Sequence, residues 1–315
     1  PAPAPPPPAA PTPTPAPTPG PTPTPADDAF VVNGRTYRKL ATVGRGGSSK
    51  VFKVLSGEGA ILALKRIRLK SVKRDAIEPY VNEIRILESL RGKPNIIQLV
   101  DSEVDLDRRH IHVVMECGEI ALSRWLEREK DKVETTEAKA DGVVTPAVGA
   151  NTLRMVWQQM LTAVGTIHDA RIVHGDLKPA NFVFVEGTLK LIDFGIAKAI
   201  GNDTTNIVRD SQVGTINYMS PESLCGTGGG GRLRLGRASD LWSLGCILYQ
   251  MVYGSTPFAS CTNVIRKMQA IVSPEHVIEF PALHDTSLAD VLQLCLQREA
   301  SKRPLLASLL AHPFL

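Results

Sequence analysis

The sequence predicts an α+β chain of two lobes, a small one of five β-strands with one helix and a larger one that is mainly α-helical. Three observations carry this. β-rich runs separated by turns occupy residues 37–67 and return at 96–100 and 111–115. A single amphipathic helix interrupts them, and beyond Cys117-Gly118 the apolar spacing becomes helical. With 315 residues, 43% of them hydrophobic, the chain has enough apolar material for one large core or two lobes.

Taken in order, residues 1–29 form a Pro/Ala/Thr-rich tract holding more than half of the 24 prolines. Each proline removes a backbone donor and fixes φ, so the tract is expected to be disordered, solvated polyproline II. Its Pro-x-x-Pro spacings suit a proline-binding module as partner; a spacer is the simpler reading. Next come the runs Val51-Phe52-Lys53-Val54-Leu55 and Ile61-Leu62-Ala63-Leu64. Ile77, Val81, Ile84, Leu87 and Leu90 recur at helical spacing, and runs at 96–100 and 111–115 complete a small lobe over 37–115.

In the large lobe, 119–315, Leu153, Val156, Trp157, Met160, Leu161, Val164 and Ile167 trace the stripe of a long buried helix. Residues 241–252 are almost wholly apolar and predict a central helix. The polar stretch 132–150 and the stretch 225–236 read as insertions. The second carries four glycines, Gly228 to Gly231, but no following Lys-Ser/Thr, so it reads as a surface loop and not a phosphate loop.

A formal charge of +4 is too mild to make nucleic acid the main partner, and no run of about eighteen apolar residues exists to span a membrane. Cys117, Cys225, Cys246, Cys261 and Cys295 are scattered, odd in number and form no C-x-x-C pair. That makes a zinc site or a disulfide framework a poor reading and suits reduced thiols in a cytosolic or nuclear protein. The chain opens at Pro1 without a signal peptide and reads as a fragment of a longer protein.

The chemistry is concentrated in His174-Gly175-Asp176-Leu177-Lys178-Pro179-Ala180-Asn181, followed twelve residues later by Asp193-Phe194-Gly195. Phosphoryl transfer needs such groups: Asp176 to accept or orient a hydroxyl proton, Lys178 to neutralise the γ-phosphate, and Asn181 and Asp193 as hard oxygen ligands for Mg2+. Upstream, Val43-Gly44-Arg45-Gly46-Gly47-Ser48-Ser49-Lys50-Val51 lies between two strands. Backbone amides approach a nucleotide phosphate closely only where side chains are absent, which suits Gly44 and Gly46; Ser49 takes the third glycine position. Lys65 ends an apolar strand and needs a buried partner, for which Glu83 on the amphipathic helix is the candidate. Met115-Glu116-Cys117-Gly118 joins the lobes, where the Glu116 carbonyl and the Cys117 or Gly118 amide meet adenine edges and Met115 backs the pocket. Val43, Val51 and Ala63 complete the ATP site. Two fold-level pairs are also expected: Glu222, in Ser220-Pro221-Glu222, with Arg303, and Asp240 with backbone amides of the catalytic loop.

Over residues 37–315 these motifs resemble the eukaryotic protein kinase superfamily, and the resemblance implies its bilobal protein kinase fold. Lys178-Pro179 and Gly214-Thr215 look like the serine/threonine branch. Val114-Met115-Glu116-Cys117-Gly118, Leu191-Ile192-Asp193-Phe194-Gly195-Ile196-Ala197, Asp210-Ser211-Gln212-Val213-Gly214-Thr215-Ile216-Asn217-Tyr218-Met219 and Leu310-Ala311-His312-Pro313-Phe314 look like the monopolar-spindle (TTK-type) dual-specificity kinases. That resemblance implies ATP-dependent transfer to protein hydroxyls, autophosphorylation through a transient dimer, and protein substrates that include kinetochore scaffold proteins. It also implies a nuclear and kinetochore location, with cytoplasm as the alternative, and a role in the spindle checkpoint. Thr204, Thr205 and Ser211 are the expected autophosphorylation sites, while Thr215 reads equally as a phosphosite or as a structural hydroxyl contacting Asp176 and Lys178. Two departures stand out. Ser220 replaces a common Ala or Pro, and Gly175 lacks the guanidinium that in many kinases clamps an activation-segment phosphate. The spindle kinases tend to lack that arginine too. A pseudokinase scaffold would lack the lysine, the base or a metal ligand, and all are present.

Overall fold

The computed structural model describes residues 29–46, 48–71, 73–132, 143–194, 215–225 and 236–315. The small lobe is an antiparallel sheet of order β1-β2-β3-β4-β6-β5: β1 Ala29–Val32, β2 Arg35–Arg45, β3 Ser49–Ser56, β4 Ile61–Arg68, β5 Leu99–Asp105 and β6 His110–Glu116. The sixth strand, β1, is one more than the sequence reading had. Asn33-Gly34 joins it to β2, both residues at positive φ (47° and 76°), the geometry that a two-residue hairpin turn favours.

Residue alternation gives this sheet two working faces. Cross-strand partners share a face, so the pairs Val51↔Lys65, Lys65↔Val113 and Ala63↔Met115 put those side chains together on one side. There α1 (Arg74–Ser89) packs with Ile77, Ile84 and Leu87 buried. Phe52↔Leu64 and Leu64↔Val114 lie on the other side, where Val32, Tyr37 and Val54 join them in a small core of their own. β1 closes that second core, which explains why the chain folds upstream of residue 37.

The strand expected at 96–100 lies instead at Leu99–Asp105. Ile96 and Ile97 are buried and turned to the large lobe: Ile96 bridges Leu191, and the Ile97 N–H donates to the Leu191 carbonyl at 3.0 Å. This contact and the hinge after Glu116 tie the lobes together.

The large lobe contains β7 (Ile120–Ala121), α2 (Leu122–Lys132), α3 (Ala150–Asp169), β8 (Phe182–Val185), β9 (Thr188–Leu191), α4 (Pro221–Leu224), α5 (Arg237–Tyr253), α6 (Val264–Val272), α7 (Thr286–Cys295) and α8 (Leu306–Leu310). Every residue of the expected α3 stripe is buried, and α5 is buried nearly all round, as an apolar central helix must be. Of the stretch 132–150, residues 133–142 lie outside the described residues. Residues 143–149 are docked: Ala147 and Val148 donate to the carbonyls of Val252 and Met251 at 2.8 and 3.1 Å, and Val144 bridges Leu283. Residues 226–235 and the proline tract through residue 28 lie outside the described residues, as do Gly195, Thr204, Thr205 and Ser211.

Candidate active site

The site lies where the inner face of the small sheet meets the loops around β8 and β9. β4 delivers Lys65 to that face beside Val51, with Gly44 opposite Val51 in the β2–β3 pairing. Val43 stands in the irregularity between Thr42 and Gly44, its side chain 52% exposed. At the hairpin tip the Gly46 N–H donates to the Ser49 carbonyl at 2.8 Å.

Lys65 Nζ meets Glu83 Oε1 at 3.0 Å, each side chain only about a fifth exposed, as the sequence predicted. Burial disfavours the ammonium, but the carboxylates of Asp193 and Glu83 outweigh it, and the Lys65 pKa lies above the ordinary lysine value. Glu83 is shifted upward, by burial first and then by the charge of Asp193, against the pull of Lys65. The charge of Asp193, on the segment after β9, thus reaches both members of the Lys65–Glu83 pair on the sheet face.

The catalytic loop is held from below by α5. Asp240, fully buried, accepts the N–H of His174 at 3.0 Å and of Gly175 at 2.8 Å, and bonds His168 Nε2 at 2.8 Å. The first two bonds were expected from sequence; His168, the last-turn histidine of α3, was not. His174 then links both halves of the site. Its Nδ1 accepts from the Asp176 N–H at 3.2 Å while Nε2 bonds the Asp193 carbonyl, which fixes the neutral tautomer with the proton on Nε2. Burial pushes its pKa down despite Asp240 and Asp193 nearby, which maintains that neutral form. Phe194, fully buried, tilts against the His174 ring with centroids 6.4 Å apart.

Lys178 Nζ approaches Asp176 Oδ2 at 3.2 Å. Asn181 shapes its own loop: its Oδ1 accepts the Lys178 N–H at 3.1 Å, and its carbonyl accepts the Ile192 N–H at 2.8 Å. An amide oxygen has two lone pairs, so Oδ1 retains one for a cation. Gly175 sits at φ 72°, in the left-handed region, and brings no side chain to the loop.

At the hinge, Met115 is buried and pairs with Ala63 across the strands. The Glu116 carboxylate accepts the Gln98 N–H at 2.5 Å and forms an ion pair with Lys190 of β9, a lobe-to-lobe anchor that sequence spacing did not reveal. Cys117 is half-buried, and burial pushes its thiol upward, in keeping with an unreactive residue. A Cβ on Gly118 would lie 2.1 Å from Val183 Cγ2, so any side chain here requires the Val183 side chain of β8 to move. Away from the site, Arg303 forks onto Glu222 at 2.7 and 2.8 Å with its guanidinium fully buried, and stacks over Trp242.

The protein kinase domain family matches residues 37–315. The chain is 52% identical over 290 residues to a probable serine/threonine-protein kinase mps1 of Dictyostelium discoideum, covering 90% of this chain and 28% of that protein. It is 44% identical over 294 residues to the dual specificity protein kinase TTK of Mus musculus, covering 91% and 32% of the two chains. Against the serine/threonine-protein kinase mph1 of Schizosaccharomyces pombe it is 44% identical over 312 residues, covering 91% and 44%. The chain thus spans less than half the length of each of these relatives.

Proposed function

We propose, for a chain that belongs to the protein kinase family, that it transfers the γ-phosphate of ATP to serine and threonine hydroxyls of protein substrates, with tyrosine as a second acceptor. The observation that carries this is the convergence of the Lys65–Glu83 pair and Asp193 above a catalytic loop fixed by Asp240. The adenine stacks among Val43, Val51, Ala63 and Met115 and bonds the Glu116 carbonyl and the Cys117 or Gly118 amide. Amides around Gly44, Gly46 and Ser49 cradle the phosphates, and Lys65 grips the α and β groups. Asp176 orients the acceptor hydroxyl and takes its proton as the oxygen attacks phosphorus in line; the bond to the β,γ-bridging oxygen breaks and ADP leaves. Lys178 neutralises charge on the transferred group.

Asn181 and Asp193 would hold Mg2+, which neutralises phosphate charge when bound. The fit is supported by their hard oxygens and by the lone pair that Asn181 Oδ1 keeps beside its single bond from the Lys178 N–H. A labelled-ATP assay with a generic protein substrate, followed by mapping of phosphorylated positions, tests the reading. Asp193→Ala should lower incorporation by at least about 100-fold with the fold intact; transfer near the wild-type rate would sink the metal assignment.

Within the family, similarity to the mps1, TTK and mph1 kinases supports a role in the spindle checkpoint at kinetochores, acting on scaffold proteins there and autophosphorylating through a transient dimer. Kinetochore enrichment of the full-length protein tests the location; diffuse signal through mitosis would refute it. Autophosphorylation whose rate per molecule rises with concentration would support the dimer.

A further inference from the structure

The face of the small sheet turned away from Lys65 carries a pocket whose basic side chains the phosphotransfer chemistry does not use. Lys50, Arg66, Arg68, Lys70 and His110 line it, and the outer side of the glycine-rich hairpin, through Gly46, Ser48 and Ser49, closes one end, around a volume of about 320 Å³. Strand register explains the gathering. Lys50 pairs with Arg66 across β3 and β4, and Arg68 with His110 across β4 and β6, so alternate residues of three strands present their charges on one side. We propose that this pocket binds a phosphomonoester carried by a polypeptide, that is, a phosphorylated side chain.

Among the described residues no Asp or Glu lines the pocket, and none of Lys50, Arg66, Arg68 and Lys70 forms an ion pair with a carboxylate. Glu103 and Asp105 of β5 face His112 and His110, but neither lines the pocket, and Asp105 is engaged by Arg108 at 3.8 Å and by its N–H at 2.8 Å.

Arg66 is pre-positioned: its guanidinium lies over the rings of Phe30 and Phe52, 5.5 and 5.3 Å from their centroids. A stacked guanidinium retains its planar fork of donors for a bidentate oxyanion. His112, next on the same face, is held near a pKa of about 4 by burial first and then by His110 and Arg66, against the pull of Asp105. The volume suits one phosphorylated side chain and not a polyanionic strand, which needs a continuous basic groove.

The test uses the full chain without ATP and a fluorescent phosphoserine peptide with neutral flanks, read by anisotropy at low ionic strength. Binding should require the phosphate, weaken with salt, persist with a saturating non-hydrolysable ATP analogue, and fall at least about 10-fold in Arg68→Gln/Lys70→Gln, from loss of two charge-assisted contacts. Lys50→Gln/His110→Gln provides a second variant should the first not fold. Equal binding of the unphosphorylated peptide, unchanged affinity in a folded variant, displacement by the ATP analogue, or no binding at all would overturn the proposal. So would tighter binding of phosphoinositide vesicles or of single-stranded DNA. None of these readouts requires turnover, so they stand or fall separately from the phosphotransfer reading.

Discussion

Replacing Asp240 by Asn tests the geometry of the site most directly, because it alters one buried carboxylate and leaves the volume almost unchanged. Oδ2 serves His168 and the His174 N–H, while Oδ1 serves the Gly175 N–H. An amide can put oxygen at only one of these positions. Oriented to retain His168 and His174, it points NH2 at the Gly175 N–H, donor against donor; flipped, it forfeits the other two bonds. The better orientation loses one charge-assisted bond, about 1.5–3 kcal/mol, and strands a donor in a site that is 0% exposed. We therefore expect a loss of about 2–4 kcal/mol in urea unfolding. With the Gly175 N–H no longer held, the loop fixes Asp176 less firmly, so kcat should fall by at least about 10-fold with little change in KM for ATP, since the adenine and the α and β phosphates are held by the small lobe and the hinge. A variant within about 0.5 kcal/mol of wild type and with unaltered kcat would refute the view that Asp240 holds the loop.

Two further outcomes are expected. Gly118→Ala places a methyl 2.1 Å from Val183 Cγ2 and should cost about 1–3 kcal/mol, with Val183→Ala in the same chain restoring most of it; thermal unfolding of the single and double variants decides this. The Glu222 pKa is lowered: burial raises it, but hydrogen bonding to Arg303 outweighs that. A carboxylate depressed in the folded state contributes stability above its unfolded value of 4.5 that disappears as pH falls through the folded value. Urea titrations below pH 4.5 should show that loss, and Glu222→Gln should flatten it; an unchanged acid limb would exclude the pair as its source.

What the sequence made legible was local. Lys65 with Glu83, Asp240 with the loop amides, Glu222 with Arg303, and the α3 stripe each follow from a spacing or from the need to pair a buried charge. What it concealed depends on where strands meet. β1 is hard to read because its four residues follow a proline tract, although Asn33-Gly34 announces the turn. β5 lies further along than its apolar run suggests because Asp101, Ser102 and Glu103 look like a loop, whereas an edge strand tolerates polar side chains. The docking of 143–149 rests on backbone bonds to α5, which side-chain composition does not encode. Gly118 carries a second constraint that its place at the hinge does not announce, the Val183 side chain packed where a Cβ would stand.

The pleat of β4 makes the small sheet an insulating partition between two charged compartments. Lys65 and Arg66 are chain neighbours, yet they serve opposite sides, Lys65 meeting Glu83 and Arg66 lying over Phe30 and Phe52. A single-residue slip of β4 against β3 and β6 would exchange them, sending the ammonium into an aromatic stack and a guanidinium towards Asp193. The seven-residue pairings on either side of β4 lock against that error. Insertions or deletions of one residue within β4 should therefore erase both compartments at once, whereas changes at the β3–β4 turn, Gly57 to Ala60, leave the partition intact.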